Sequence, residues 1–447
     1  MGELTILTGQ DDPDFLDLPW NVALEHWRSP RLRELVKGTS RHVVRMVDYD
    51  DRVYAIKETT EDLARREYQT LRELRDLHLP TVVPVGYVTG RETPDGEQLG
   101  AALITRFLDF SLPYGYLFAV ERPDFLRAKL LDAAVILLVR LHIEGVFWGD
   151  ASLNNVLFRR DAGGLTAYLV DAETTEIRPS LSDRMRQYDL DITRENVAGA
   201  LYDLMAAGML SEDFDPVAIV DELERRYHEL WNELTAVEEI PATERWRIRA
   251  RIDRIHELGF DVEELRVRSR GDGQWLEIQP RVVEEGHAHR RFQALTGLSI
   301  QEGQAREFLD ALFAHGAVIE QREGVQLTPE MKAQRWLTER YYPVLAAIPP
   351  EYRGTLEPPE LFHRYMAHRD AISREQGRDM EMDEALPSFI NELLPVLPVE
   401  KRVTDDSVVF PPPAPGTAAS DPPAGPGHAD APTDVTTPPA VDAPQTP

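Results

Sequence analysis

The stretch GVFWGDASLNNVLF, from Gly145 to Phe158, sets the tightest condition on what this chain can fold into. Asp150, Asn154 and Asn155 interrupt an apolar run just after Trp148. Buried polar groups need partners, so a strand entering a core does not accept three of them without cause. Either the stretch is a surface loop, or it holds a cation and a nucleophile in place. The residues that follow, VLFRRDAGGLTAYLV, read as a β-hairpin turning at Asp161–Gly164. Pairing Arg160 with Thr166 across that turn brings Asn155 opposite Asp171, so an amide and a carboxylate converge at one rim. Two short oxygen donors, with room for water and phosphate, suit Mg²⁺. Asp150 lies five residues before Asn155 in the loop leading to the same rim. A carboxylate there can orient a hydroxyl and take its proton.

An earlier hairpin offers a cation. HVVRMV and RVYAIK flank the turn DYDD, and strand alternation places Val53, Ala55 and Lys57 on one face. Ala55 is small enough to leave space for a flat ring beside the ammonium. Only five of the 49 basic residues are lysines, so a lysine in an apolar strand is unusual for this chain. The helical stretch TTEDLARREYQTLRELRDL then sets Glu67 among Leu63, Thr70, Leu71, Leu74 and Leu77. A carboxylate facing a core needs a partner, and Lys57 is the natural one. Taken singly, each residue has an ordinary reading. Lys57 can be a solvated strand-end lysine, Glu67 an edge residue, Asp150 a loop cap, Asn155 and Asp171 turn residues. Their occurrence together and in this order favours a site.

Charge and composition narrow the partners. Removing the six aspartates beyond Arg402 from the net charge of -29 still leaves -23, so the surface repels nucleic acid and anionic lipid. No window has the roughly 18 uninterrupted apolar residues of a membrane span. The acidic start MGELTILTGQDDPDF lacks the order of a secretion signal, and there is no cysteine. Disulfides, thiolate zinc sites and cysteine nucleophiles are excluded, and a cytoplasmic setting fits.

The order of these motifs resembles the protein-kinase-like superfamily. YAIK resembles the strand lysine motif and RREYQTL the helix with the partner glutamate. LHIEGVFWGDASLNN matches the leucine-histidine, glycine, Asp and Asn spacings of the catalytic loop, and YLVDAET stands where the D-F-G segment would be. More narrowly, DFSLPYGYLF, LVDAET, RENVAG and RPRVVEEGH are similar to an actinobacterial lipopolysaccharide-kinase-like family, uncharacterised in substrate, with a C-terminal domain of unknown function. The resemblance implies ATP and Mg as cofactors. Lys57 would contact phosphates with Glu67 as its partner, Ala55 would line the nucleotide site, Asp150 would be the catalytic base, and Asn155 and Asp171 would hold the metal. His142 would be structural. The departures are Trp148-Gly149 before Asp150, Ser152 in place of a lysine, and a phosphate loop, VKGTSRHVV, whose one glycine is Gly38, leaving Thr39, Ser40 and backbone N–H groups to cover a phosphate.

These readings give an expected α+β, two-lobed kinase-like fold followed by a mainly helical accessory domain. Residues 1–110 are expected to form an N-terminal segment and small lobe, 111–240 the helical lobe, 241–403 the accessory domain, and 404–447 a disordered tail. Twelve of the 33 prolines fall in the last 37 residues, a composition that cannot bury a core. In the second half of the chain, PVAIVDELERRYHELWNEL and ERWRIRARIDRIHELG read as paired amphipathic helices, and EELRVRSRGDGQWLEIQPRVV as a hairpin around Asp272-Gly273. His287, His289, Arg290 and Arg291 form a dense cationic cluster, read as a solvated loop or an anion site. The function expected is phosphoryl transfer from ATP to a hydroxyl acceptor, a carbohydrate or lipid-linked saccharide among them. The competing expectation is a pseudokinase that senses nucleotide or scaffolds a protein partner through the accessory domain.

Overall fold

Residues 5–8 pair with residues 86–89 across a long stretch of sequence. The structure is a computed structural model. It describes residues 4–33, 42–50, 52–114, 117, 123–162, 164–241, 247, 251, 261–270, 275–283, 287–378 and 380–397. The chain divides into two units, Met1–Val409 and Phe410–Pro447, and every described residue belongs to the first. The expected tail, Gly38, Thr39, Ser40 and the Asp272-Gly273 turn lie outside the described residues.

The small lobe is an antiparallel sheet of β1 (Thr5–Thr8), β2 (Leu32–Arg33), β3 (Val44–Tyr49), β4 (Arg52–Thr59), β5 (Val83–Thr89) and β6 (Ala101–Arg106), ordered β1-β5-β6-β4-β3-β2. The DYDD turn gives the expected β3–β4 hairpin, with Asp50 at φ 47°. Helix α1 (Glu61–Asp76) starts at a Thr60 cap that accepts from the Leu63 amide. It buries Ala64, Glu67, Leu71 and Leu74, close to the stripe read from the sequence. The opposite face of the sheet is covered by the N-terminal segment. Phe15, Trp20, Leu24 and Trp27 pack on Tyr54 and Ile56 of β4 and on Val88, Ala102 and Ile104. Alternation along β4 therefore sends Tyr54 and Ile56 into this core and leaves Val53, Ala55 and Lys57 on the other face.

Arg91 pins the N-terminal segment. Its guanidinium, 1% exposed, donates to Trp20 O at 3.1 Å, Val22 O at 2.6 Å, Gly100 O at 2.7 Å and Glu58 Oε1 at 2.7 Å.

The helical lobe is built on α2 (Pro123–Ile143), α3 (Asp183–Ala206) and α4 (Pro216–Thr235), which share one core with the short strands β7 (Leu112–Pro113) and β8 (Val146–Phe147) and the hairpin β9 (Val156–Asp161) and β10 (Gly164–Leu169). Helix α2 begins at Pro123, and proline suits the first helical position. Gly145 follows the end of the helix: at φ 77°, a Cβ there would sit 2.1 Å from Arg178 O. That contact accompanies pairing of β8 with β11 (Glu176–Ile177). Helix α3 starts at Asp183 and is capped by Ser182, whose hydroxyl accepts from the Met185 amide.

The accessory part is mainly helical with one sheet, as expected, but the sheet has three strands: β12 (Glu238–Pro241) adds to the hairpin of β13 (Asp261–Arg270) and β14 (Trp275–Val283). Of the expected helix pair, the first is α4 and most of the second, 244–259, lies outside the described residues. Helices α5 (His287–Thr296), α6 (Glu302–Glu323), α7 (Pro329–Trp336), α8 (Tyr342–Ala347), α9 (Pro358–Gln376) and α10 (Met382–Ser388) enclose a second core rich in aromatics, including Phe292, Phe308, Trp336 and Phe362. The cationic cluster is therefore not a loop. Its residues open α5, where His289 Nδ1 donates to Ile300 O and the Arg291 guanidinium lies 5.0 Å from the Phe313 ring centre. His363 and His368 on α9 are likewise committed, to Glu307 and Ser388.

Replacing Arg91 by Ala strands a buried carboxylate and several carbonyls, so it should cost on the order of 3 kcal/mol in urea denaturation. Lys cannot reach all four acceptors, so Arg91→Lys should restore little. A loss under about 1 kcal/mol for Arg91→Ala would show that the N-terminal segment is held by its aromatics alone.

Candidate functional site

Lys57 is brought to the lobe junction by strand alternation, and there it meets carboxylates from two different elements. Its Nζ donates to Glu67 Oε1 and Oε2 at 3.1 and 2.9 Å and to Asp171 Oδ2 at 2.9 Å. Glu67 comes from α1, in the small lobe, and Asp171 from just beyond β10, in the large lobe. Glu173 Oε2 lies 3.7 Å from the same Nζ. Glu67 also accepts from the Ala172 amide at 3.4 Å, and Asp171 Oδ1 from the Glu173 amide at 3.0 Å. Thus one ammonium sits among three carboxylates. Oxygens of Glu67, Asp171 and Glu173 lie within 4.8 Å of one another. Ala55, half-buried two residues before Lys57, shares its strand face.

Glu173 was missed in the sequence, although it follows Asp171 by two residues in DAET. His42 was missed as well. Its Nε2 is 3.0 Å from Glu173 Oε2 and its Nδ1 3.1 Å from Glu58 O, so both ring nitrogens face oxygen. The Arg66 guanidinium donates to Glu173 O at 2.7 Å, tying α1 to the same segment.

Asp150 lies on the loop between β8 and β9. The Asn155 side-chain amide donates to its Oδ2 at 3.2 Å and to its backbone carbonyl at 3.0 Å. Asn196, on α3, donates to Oδ1 at 2.9 Å. Both carboxylate oxygens are thus oriented by amides. Asn196 was missed; its signal was its place seven residues after Asp189, two helical turns along one face.

Asp189, fully buried, fixes the backbone of the loop. Its oxygens accept from the Trp148 amide at 2.6 Å and the Gly149 amide at 2.9 Å, and from His142 Nε2 at 3.1 Å. It lies inside α3, not at its cap. Asp191, two residues further along the helix, accepts from the Gln187 side-chain amide at 3.0 Å. His142 completes the chain of bonds through its Nδ1, 2.6 Å from the Tyr227 hydroxyl. Burial pushes the His142 imidazole below its ordinary range, with Asp189 opposing. A neutral ring then donates from Nε2 and accepts the tyrosine proton at Nδ1. Trp148 fills the core at 3% exposure.

The hairpin register departs from the expected one by a single residue. Thr166 faces Arg159 and Leu165 faces Arg160, because the turn closes on the pair Asp161–Gly164 with Ala162 at φ 47°. Asn155 consequently lies beside Val170, whose amide donates to Asn155 O at 3.0 Å, and Asp171 falls one residue past that rung.

The charges are coupled. Burial pushes the Glu67 carboxyl up, and Asp171 adds to the effect against Lys57, to about 7. Burial works to raise Asp171 too, but the Lys57 charge and hydrogen bond outweigh it and hold Asp171 below the usual carboxylate range. Burial works to lower Lys57, and the two carboxylates overcome it, so the ammonium is stabilised.

Comparison with known proteins agrees with the resemblance read in the motifs. Residues 33–198 match the model of the Lipopolysaccharide kinase (Kdo/WaaP) family, and residues 229–394 match that of Domain of unknown function (DUF4032). No curated protein matches the chain. A solved structure of WaaP in complex with acyl carrier protein is similar at 17% identity, covering 44% of this chain and 89% of that one, with a TM-score of 0.29. No helix among the described residues is long and apolar enough to cross a membrane.

An acid whose pKa is higher in the folded than in the unfolded chain binds its proton on folding between the two values. The Glu67 contribution to stability is therefore full below its ordinary 4.5 and lost as pH rises through about 7. Asp171 stays ionised across that window. In metal-free melts, the Tm of wild type minus that of Glu67→Gln should fall as pH is raised from about 5 to about 8. A constant difference would show that Glu67 keeps its charge throughout.

Proposed function

We propose that this chain is a phosphotransferase that moves the γ-phosphoryl group of ATP to a hydroxyl acceptor, with Asp150 as base. The supporting observation is Lys57, held at 2.9 Å by both Glu67 and Asp171 from opposite lobes. The pairing fixes the ammonium where a polyphosphate can be received between the lobes, and Ala55 leaves space for the base beside it. The match to a lipopolysaccharide kinase family suggests a kinase-like phosphotransferase independently of that geometry.

Mg²⁺ fits the residues present. Asp171 and Asn155 would hold it, with the Glu173 and Glu67 oxygens close to Asp171, and the Asn155 Oδ1 would be the donor because its amide nitrogen is bound to Asp150. When bound, the ion supplies charge neutralisation to the phosphate oxygens. Asn155 and Asn196 hold the Asp150 carboxylate so that it accepts the hydroxyl proton as the new O–P bond forms and the bond to the ADP oxygen breaks. Asp189 keeps the loop that presents Asp150 from shifting. A neutral hydroxyl acceptor, such as a carbohydrate or lipid-linked saccharide, suits a strongly acidic chain better than an anionic one. ATP as donor sets this activity in the cytoplasm. We also assign 1–110 to the small lobe with its N-terminal segment, 111–240 to the helical lobe, 241–403 to the accessory domain and 404–447 to the tail.

A pseudokinase is the second reading. Glu173 favours it: a carboxylate 3.7 Å from Lys57 occupies ground that a phosphate would need.

ATP turnover and acceptor phosphorylation by full-length protein test the two readings. Asp150→Asn should lower kcat by about 10²- to 10⁴-fold while leaving ATP affinity nearly unchanged. Asp171→Ala should abolish the Mg²⁺-dependent rise in Tm on adding ATP. Nucleotide binding without turnover across a broad acceptor panel would establish the pseudokinase, and no Tm response to Mg²⁺ and ATP would remove both.

A further inference from the structure

The hairpin β9–β10 has two faces, and only one of them belongs to the kinase-like core. Val156, Phe158, Leu165, Ala167 and Leu169 are buried in that core. The opposite face carries Arg159, Asp161, Thr166 and Tyr168, with Thr166 paired to Arg159 across the strands. Alternation dictates that these four share a side. They are not left to water. The accessory helices cover them.

Asp161 makes the closest of these contacts. Its Oδ2 accepts from the Gly303 amide at 3.0 Å and its Oδ1 from the Gln304 amide at 2.9 Å. These are the second and third residues of α6, whose amides have no partner within the helix. Thr166 Oγ1 adds a third bond to Asp161, at 3.1 Å. A carboxylate at a helix start also meets the positive end of the helix dipole. Such a cap normally comes from the residue just before the helix; here Gln301 and Gln304 form a local capping box, and Asp161 adds its bonds from a turn about 140 positions earlier in the chain. Gly303 suits the approach, since a Cβ there would lie 2.9 Å from Asp161 Oδ1 and the carboxylate would have to shift. Around this bond, Arg159 pairs with Glu357, and the Gln301 amide joins the Tyr168 hydroxyl at 2.6 Å to the Arg159 guanidinium at 3.1 and 3.2 Å.

The other end of the hairpin is the site. β9 starts directly after Asn155, and β10 ends two residues before Asp171. The Val170 amide bond to Asn155 O closes that end at 3.0 Å. Six residues of strand, about 20 Å, separate the two ends. We propose that Asp161 is a positioning residue: by capping α6 it makes the accessory domain the external support that fixes the spacing of Asn155 and Asp171. The C-terminal part then sets the geometry at which the site receives a metal-bound nucleotide, without touching it.

This inference rests on the nucleotide reading above, and two measurements separate their failures. Full-length wild type, Asp161→Ala, Asp161→Asn and Gly303→Ala are titrated with ATP, with and without Mg²⁺, at a temperature where circular dichroism finds all four folded. Asp161→Ala and Gly303→Ala should each reduce the Mg²⁺-dependent gain in ATP affinity by at least about fivefold, with metal-free affinity within about twofold of wild type. Asp161→Asn keeps an acceptor oxygen and should fall between. Equal losses with and without Mg²⁺, or none, would overturn the inference. If wild type binds no nucleotide, the phosphotransferase reading fails by itself, and hydrogen exchange decides the coupling. Faster exchange at the Val170 amide in Asp161→Ala supports it, and a change confined to 161–166 and 303–304 refutes it.

Discussion

An ammonium ion that has lost most of its water cannot stand alone in a protein, and the kinase-like part is arranged around that condition at Lys57. Glu67 and Asp171 satisfy it from opposite lobes, so the two lobes share an ionic contact as well as an apolar one. Three carboxylates around one ammonium leave an excess of negative charge. Glu67 responds by holding its proton to about 7. The same excess would suit a divalent cation, which would take over the neutralisation that the proton performs in its absence. The cluster is therefore both a structural clamp and an unsaturated one.

Asp150 illustrates a different economy. Its position depends on neutral amides, from Asn155 and Asn196, and on a backbone that Asp189 holds through the Trp148 and Gly149 amides.

Much of this was legible in the sequence because local rules decide it. The period of two along RVYAIK predicts which face Lys57 takes, and the helical stripe predicts that Glu67 is buried beside it. The catalytic-loop spacing predicts Asp150 and Asn155 near one rim. The failures have physical causes. The hairpin register depended on whether the turn held two residues or three, and Ala162 in a left-handed conformation permits the shorter one. His42, Glu173 and Asn196 escaped because their partners are distant in sequence and each residue looks ordinary on its own element. The cationic cluster at His287–Arg291 was read as a loop because charge masked helical spacing. The accessory domain's grip on the β9–β10 hairpin was invisible for the same reason: the capping carboxylate and the helix it caps are separated by more than a hundred residues.

The N-terminal segment has a consequence for biosynthesis. Phe15, Trp20 and Trp27 share a core with Tyr49, Tyr54 and Ile56 of β3 and β4 and with Val88, Ala102 and Ile104 of β5 and β6, and among the described strands β1 pairs with β5. A ribosome releases those aromatics before their covering is complete. β3 and β4 can cover part of them early, but the far side of the core stays open until β6 has left the exit tunnel. The small-lobe sheet is thus complete only once Arg106 has emerged.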